Sequence, residues 1–318
     1  MSPSSARRPK ASIVIRSFNE EQHLGNLLAA IQKQNFADYE IILVDSGSTD
    51  RTLEIAAQHP IRIEHIDSQA FTFGRSLNLG IQAAKGEIAV IASAHVLPLG
   101  KDWIAKLIAP FEEEQVALSY GMQRGGVGSH FSEDQHWRHW FPEQSDLDQA
   151  SSFCNNANSA IRISIWQQQP FDEELTGLED IAWASWAKHQ GYKIAYVAEA
   201  GVAHLHDETP AQVVNRYRRE AIALKQILPE SRFTFWHFLT HWLQKTVADM
   251  RVARRAGVLI HEFLPILAFR RRQYWGTYLG YQQSSQLSAA KIQSFYYPPT
   301  ELEPQRAKNS AALDEVQT

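Results

Sequence analysis

The feature that most constrains this chain is an alternation running from its start to Gly121. Short apolar runs, "ASIVIRSF", "EIILVDSGSTD", "IRIEHI", "EIAVIASAHVLP" and "QVALSYG", are separated by stretches with helical spacing. Between Glu20 and Gln34, residues Leu24, Leu27, Leu28 and Ile31 fall on one helical face. "RTLEIAAQH" reads as a second helix, capped by Ser48, Thr49 or Asp50. "GRSLNLGIQAAKG" reads as a third helix, closed by Gly86, and "DWIAKLIAPF" as a fourth. Runs such as Ile88 to Ser93 are apolar or small throughout, as strands covered on both faces are. Strands and helices in strict alternation predict a mostly parallel, right-handed, doubly wound sheet flanked by helices.

Beyond Gly121 the alternation loosens. Residues 123–149 are rich in Gly, His, Trp and acids and read as a long active-site or acceptor loop. "NSAIRISIW" regains strand character. "LEDIAWASWAKHQGYKIAYV" reads as a helix, a stop at Gly191 and a strand, and "GVAHLHDETP" as a loop or short strand. From Pro210 to about Gln283 the spacing is helical, with Phe235, Phe238, Leu239, Trp242 and Leu243 as apolar positions. The pattern divides the chain into an α/β domain at 11–207, with halves 11–121 and 122–207, a helical extension at 208–283 and a polar tail at 284–318. The tail is expected to be partly disordered, beyond about Pro304.

The hydrophobic fraction of 44% can build a core at this length. The single cysteine, Cys154, excludes an intrachain disulfide and fits a reducing compartment. No apolar signal region and no run of about 18 apolar residues is present, so no transmembrane helix is expected and the protein is placed in the cytoplasm. Charge is unevenly spread. Val213 to Trp275 holds 12 Lys and Arg against 4 Asp and Glu, a local balance of +8 within a chain of net charge −4. Basic and aromatic residues mixed in "RYRREAIALK" and "FWHFLTHWLQKTVADMRVARR" suit peripheral contact with an anionic membrane on its inner face. They equally suit a plain helical subdomain or a homodimer contact. No nucleic-acid recognition fold is visible.

Chemistry belongs at the carboxyl ends of parallel strands. There the sequence places Arg16, Ser17, Phe18 and Asn19 after the first strand, Asp45 and Ser46 after the second, and His95 just past the fourth. An acceptor, hydroxyls, an amide and an apolar wall are what a nucleotide needs. A histidine in such a place more often only supports a loop. Neither G-x-G-x-x-G nor G-x-x-x-x-G-K-[ST] occurs, which argues against dinucleotide binding and a P-loop. The pair Glu179-Asp180 opens a helix, where the helix dipole favours carboxylates and where a general base is also well placed.

In order, "SIVIRSFNEE", "YEIILVDSGSTDRTLEIA", "GRSLNLGIQAAKGEIAVIASAHVLP" and "NNANSAIRISIW…PFDEELTGLEDIAWASWAKHQGYKIAYV" resemble the family 2 glycosyltransferases of the GT-A fold, particularly rhamnosyltransferase-like members. The resemblance spans about Ser12 to His206. It implies inverting transfer of a sugar from a nucleotide diphosphate donor to a glycan or lipid-linked acceptor in cell-envelope polysaccharide synthesis. By that pattern Asp180 is the general base and Glu179 orients the acceptor or its neighbours. Arg16, Phe18, Asn19, Asp45, Ser46, Arg75, Ser93 and His95 fall on the donor side, and Asn155, Asn156 and Asn158 on the acceptor side. Trp137, Trp140 and Trp166 suit sugar stacking, core or lid. The family's metal-holding Asp-x-Asp is replaced here by Ser93, Ala94 and His95. Two accounts stay open: a divalent metal, Mn2+ or Mg2+, held by His95 with His204 and His206, or metal-free neutralisation of the diphosphate by histidines and Arg75. A sugar-nucleotide-binding pseudoenzyme and a sugar-phosphate nucleotidyltransferase are the alternative functions.

Overall fold

The computed structural model describes residues 8–126, 128–205, 208–284 and 287–297. The first half follows the expected alternation: β1 (Ala11–Ser17), α1 (Leu24–Gln32), β2 (Tyr39–Asp45), α2 (Thr52–Ala56), β3 (Arg62–His65), α3 (Phe73–Ala83), β4 (Ile88–Ser93). Then come β5 (Val96–Pro98), α4 (Trp103–Ile108), β6 (Val116–Gly125), α5 (Phe131–Trp140), β7 (Asn158–Arg162), α6 (Ile163–Trp166), α7 (Glu179–His189) and β8 (Lys193–His204). The extension adds α8 (Pro210–Ile227), α9 (Phe235–Arg255), α10 (Leu259–Gln282) and α11 (Ala289–Tyr296).

All eight strands form one sheet in the order β3-β2-β1-β4-β7-β6-β8-β5. Strands β3, β2, β1 and β4 are mutually parallel, as is the pair β6 and β8. Strand β7 runs antiparallel to both β4 and β6, and β5 runs antiparallel to β8. The mostly parallel reading therefore holds, with only β7 and the short β5 reversed. Residue periodicity identifies a strand but carries no direction, and the connections leading to β7 and β5 bring them in reversed.

Alternate residues of the central strands point to opposite faces. Ile13, Ile15, Leu43 and Val90 join Leu24, Leu28 and Trp103 in one core. Val14, Ile42, Val44 and Ile91 join Leu77, Ile81 and Trp183 in the other. Both sheet faces are thus dry, which fixes the strand tips as a rigid platform for the cleft.

Residues 123–149 are not one long loop. Strand β6 continues through Gly125, and α5 follows with Glu133 and Asp134 in its first turn and Arg138 and His139 in its last. That charge order complements the helix dipole and stabilises a helix whose polar composition hides it. The extension is fastened to the α/β domain. Gly276 and Gly280 let α10 lie against the backbone of α8, for a Cβ at either would sit 2.5 Å from the carbonyl oxygen of Val214 or Arg218. Buried Arg270 of α10 grips Asp249 of α9 through Nε and Nη2 at 2.7 and 3.0 Å, and Nη2 also donates to the Ser132 carbonyl of α5 at 3.0 Å. The expected polar tail contains α11, which packs on the strand tips. The expectation of disorder beyond Pro304 lies outside the described residues.

Candidate active site

A cleft of about 670 Å³ opens at the carboxyl ends of β1 and β4 and runs between the start of α7 and the face of α8. Glu179 and Asp180 form its floor, both buried. The residue before them, Leu178, holds the left-handed conformation at φ 58°. Such strain in a non-glycine residue persists only where surrounding packing over-determines it. Asp180 Oδ2 accepts the backbone N–H of Asn156 at 2.9 Å, and Oδ1 accepts that of Ile181 at 2.8 Å. Glu179 Oε1 accepts from Asn156 Nδ2 at 3.3 Å and lies 3.9 Å from Arg16 Nη1. Burial, reinforced by the Glu179 charge, pushes the Asp180 carboxyl up to about 7, against the two backbone donors and Arg16. A carboxyl poised near neutrality is suited to proton abstraction. Cys154 also lines the cleft, but burial and the two carboxylates hold its thiol well above the usual range, which disfavours the thiolate.

His95 sits between β4 and β5, and His204 at the end of β8. Their ring centroids are 5.1 Å apart with 25° between planes. His95 Nδ1 meets Glu20 Oε1 at 2.7 Å, and His204 Nδ1 meets Gln123 Oε1 at 2.7 Å. Carboxylate and amide oxygens only accept, so in a neutral ring each Nδ1 carries the proton and each Nε2 the lone pair. That outer oxygen partner is the arrangement typical of metal-ligating histidines. The donor set therefore fits a divalent ion of borderline softness. Among the described residues no group of three such ligands exists, so further positions would fall to the ligand. His206, the third expected metal ligand, lies outside the described residues.

Strand β1 and helix α8 bring cations to the same cleft. The Arg16 and Arg219 guanidiniums lie 4.6 and 4.5 Å from the centroid of the Phe73 ring. Arg16 Nη1 and Arg219 Nε are buried without a hydrogen-bond partner. Burial holds the Arg16 guanidinium below its usual range, against the attraction of Glu179 and Asp180. Arg216, one turn earlier on α8, is instead locked by Glu133 and Glu208 at 2.6 and 2.7 Å. Sequence reasoning missed Arg219. Its signal was the i, i+3 spacing of Arg216 and Arg219, which reads as readily as a solvated basic face.

Asn19, Ser93, Asn155 and Asn156 line the cleft as expected. Asn155 Oδ1 accepts from Gln123 Nε2 and from the Ala157 backbone. Other expected residues are placed differently. Asn158 is buried in the core, accepting from Trp103 Nε1 at 2.8 Å and donating to the Ala200 carbonyl at 2.8 Å, so it braces β7 rather than an acceptor. Arg75 turns out of the cleft to Glu173 at 2.7 Å and the Ala70 carbonyl at 2.8 Å. Asp45 spends its carboxylate on the turn it begins, accepting the N–H groups of Gly47 and Ser48 at 3.0 and 3.1 Å. Phe18 and Ser46 lie at the strand tips beneath Tyr297. Of the tryptophans, Trp137 stands beside His204 with centroids 5.8 Å apart, and Trp140 is exposed at the cleft mouth, stacked on Phe153 at 4.5 Å. Trp166 is core, donating to Asn78.

A mixed sheet with a cleft at its parallel strand tips, holding two stacked histidines and a buried near-neutral carboxyl, is the layout of a glycosyltransferase of the GT-A fold. Residues 12–168 match Glycosyl transferase family 2, and the chain carries a domain of that family. The O-antigen chain rhamnosyltransferase RfbN of Salmonella typhimurium is 27% identical over 221 residues, covering 65% of this chain and 70% of the relative. An uncharacterized glycosyltransferase of Haemophilus influenzae is 23% identical over 268 residues, covering 79% and 80%. The fold is shared with a mannosyltransferase from Pyrobaculum calidifontis solved with GDP-Man and Mn2+, at TM-score 0.60 and 16% identity over 92% of this chain and 89% of that one.

Proposed function

We propose that the chain transfers a deoxyhexose such as rhamnose, with inversion, from a nucleotide diphosphate donor to a growing envelope glycan. The observation that carries the reaction type is the environment of Asp180, buried, near-neutral and held by the Asn156 and Ile181 backbone at the cleft floor. The sugar identity rests on the rhamnosyltransferase relative. An acceptor hydroxyl placed over Asp180 loses its proton to the carboxylate as its oxygen attacks the anomeric carbon. The bond to the diphosphate breaks on the opposite side, so no enzyme nucleophile is needed. Arg16 and Arg219 offset charge on the departing diphosphate, in a site where burial strengthens them. A divalent ion held by His95 and His204 would supply further neutralisation of that leaving group. The acid pair Glu133 and Glu208 fixes Arg216 and so sets how α8 faces the cleft.

The second part of the reading concerns where the acceptor is met. Among the described residues no helix is long and apolar enough to cross a membrane. The turn joining α9 to α10 nevertheless exposes Ile260 at 92% and Leu264 at 69%, with Trp236 at 73% farther along α9. Exposed Arg251, Arg254 and Arg255 adjoin that turn. Apolar tips ringed by arginine match an anionic lipid surface, where a lipid-linked acceptor would be met. The test of the transfer itself is to offer UDP-, GDP- and dTDP-sugars with lipid-linked glycan acceptors. Product with an inverted anomeric centre, lost in Asp180→Asn, is expected. Transfer with retention, or none from any donor, refutes it.

A further inference from the structure

The cleft is open beside Asp180 and closed at the strand tips, where the chain's own C-terminal segment lies. Tyr297 donates its hydroxyl to the Ser46 carbonyl at 3.2 Å, across 251 residues of sequence. Its ring meets Phe18 edge-on at 4.6 Å and Phe71 at 5.8 Å. Tyr296 packs edge-on against Phe71 and Phe73, each at 5.1 Å. Phe295 beside them is buried. These aromatic contacts sit on the ends of β1 and β2, the edge where an α/β sheet takes the base of a nucleotide.

We propose that α11 with Tyr296 and Tyr297 is a strap that closes the base end of the donor cleft, and that donor binding requires Tyr297 to leave. The inference rests on the donor reading of the cleft. Tyr297 is not a ready-made wall for the base. A base stacked between two rings needs about twice the spacing of one stacked pair. Phe18 and Tyr297 already touch, so no slot exists between them. The Ser46 carbonyl, one of the polar groups at the β2 tip, is already engaged by the Tyr297 hydroxyl. The strap depends on tertiary contacts to stay in place. An eight-residue helix is marginal by itself. Besides the Tyr297 bond and its aromatic contacts, it is tied by Gln293 Nε2 to the Gln69 carbonyl at 2.9 Å, Asn215 Nδ2 to the Phe295 carbonyl at 3.2 Å and the Tyr296 hydroxyl to the Leu175 carbonyl at 3.5 Å. A donor that binds only the open arrangement shifts the population towards it. A closed population lowers apparent donor affinity by the fraction of molecules that are open.

The test uses the full chain and titrates UDP, GDP and dTDP by calorimetry. Tyr297→Ala should bind the preferred nucleotide roughly 5-fold tighter or more, since it raises the open fraction. Tyr297→Phe, which keeps the fold and removes only the bond to Ser46, should bind tighter by a smaller factor. In the wild-type chain, the same nucleotide should speed amide hydrogen exchange at residues 289–297. Weaker binding by both variants makes Tyr297 a wall of the site and overturns the strap. Equal affinity, or slowed exchange in 289–297, also overturns it. If no nucleotide binds any form and transfer is absent too, the donor reading falls and the strap with it.

Discussion

His95 and His204 lie stacked side by side in the cleft wall where β5 meets β8, centroids 5.1 Å apart, and each ring has its Nδ1 against a side-chain oxygen, Glu20 for one and Gln123 for the other. The two imidazoles thus share one neutral tautomer, each oriented by an oxygen of another cleft-lining residue. Imidazole nitrogen favours Mn2+ over Mg2+. With nucleoside diphosphate present, Mn2+ should raise the melting temperature more than Mg2+ does, because only the folded site binds both. His95→Ala should remove that difference, and His95→Asp, which offers a hard oxygen, should shift it towards Mg2+. Equal stabilisation of wild type and His95→Ala by Mn2+ would show that the histidine only supports its loop.

Asp180 should set the pH dependence. Its carboxyl, raised by burial and by Glu179 to about 7, must be ionised to act. The rate should therefore climb as pH rises from 6 through about 7 and level off above. Asp180→Asn should lose on the order of 10²-fold or more in turnover while still binding nucleotide. The same shift has a cost in folding. The native state keeps its proton to higher pH than the unfolded chain, so the stability contributed by the protonated group is lost between roughly pH 4 and 7. Asp180→Asn, which carries no charge to bury, should melt higher than wild type at pH 8, with the gap shrinking towards pH 4. A rate profile flat from pH 6 to 8 would remove Asp180 from the role of base.

Arg219 should matter to the donor although it belongs to the helical extension. Together with Arg16 it brackets Phe73 with a buried guanidinium nitrogen that has no hydrogen-bond partner. Arg219→Ala should cut kcat/KM about 10-fold or more, and Arg219→Lys should recover only part, since an ammonium lacks the planar fork. Arg75→Ala, which severs an exposed pair with Glu173, should stay within about two-fold of wild type. The reverse ranking, measured as donor kcat/KM, would restore Arg75 to the site and dismiss Arg219.

What could be read from the sequence was what periodicity and strand tips encode. Strands β1 to β4 and the Glu179-Asp180 pair at the head of α7 were legible because buried parallel strands are apolar throughout and because a carboxylate pair stands out at a helix start. The reversal of β7 was not legible, since side-chain alternation is the same in either direction. Asn158 and Asn156 look alike in "NNANSA". Only packing shows that Asn158 fills the space over Gly121, where any Cβ would collide with its amide and with the Ala200 carbonyl, while Asn156 donates its side-chain amide to Glu179 and its backbone N–H to Asp180. Asp45 was read as a nucleotide contact, yet its own Gly47-Ser48 turn supplies the donors first. Arg219 and Tyr297 depend on α8 and α11 folding back over the sheet, a long-range event that no local window contains.

The turn between α9 and α10 should bind anionic lipid. Ile260, Phe263 and Leu264 are exposed there without covering structure among the described residues, and Arg254 and Arg255 close the last turn of α9 beside them. Each arginine near an anionic surface contributes about 1 kcal/mol at low ionic strength, and apolar tips that enter the interface add a part that salt does not screen. Flotation with phosphatidylglycerol vesicles should therefore capture the protein at low salt, less at high salt, and little with phosphatidylcholine alone. Arg254→Glu with Arg255→Glu should abolish the salt-sensitive part, while Ile260→Ser with Leu264→Ser should weaken binding at every salt concentration. Sedimentation should meanwhile report the wild-type chain's oligomeric state. A dimer that those serine substitutions dissociate, together with no vesicle capture at low salt, would assign the surface to a second copy of the chain instead.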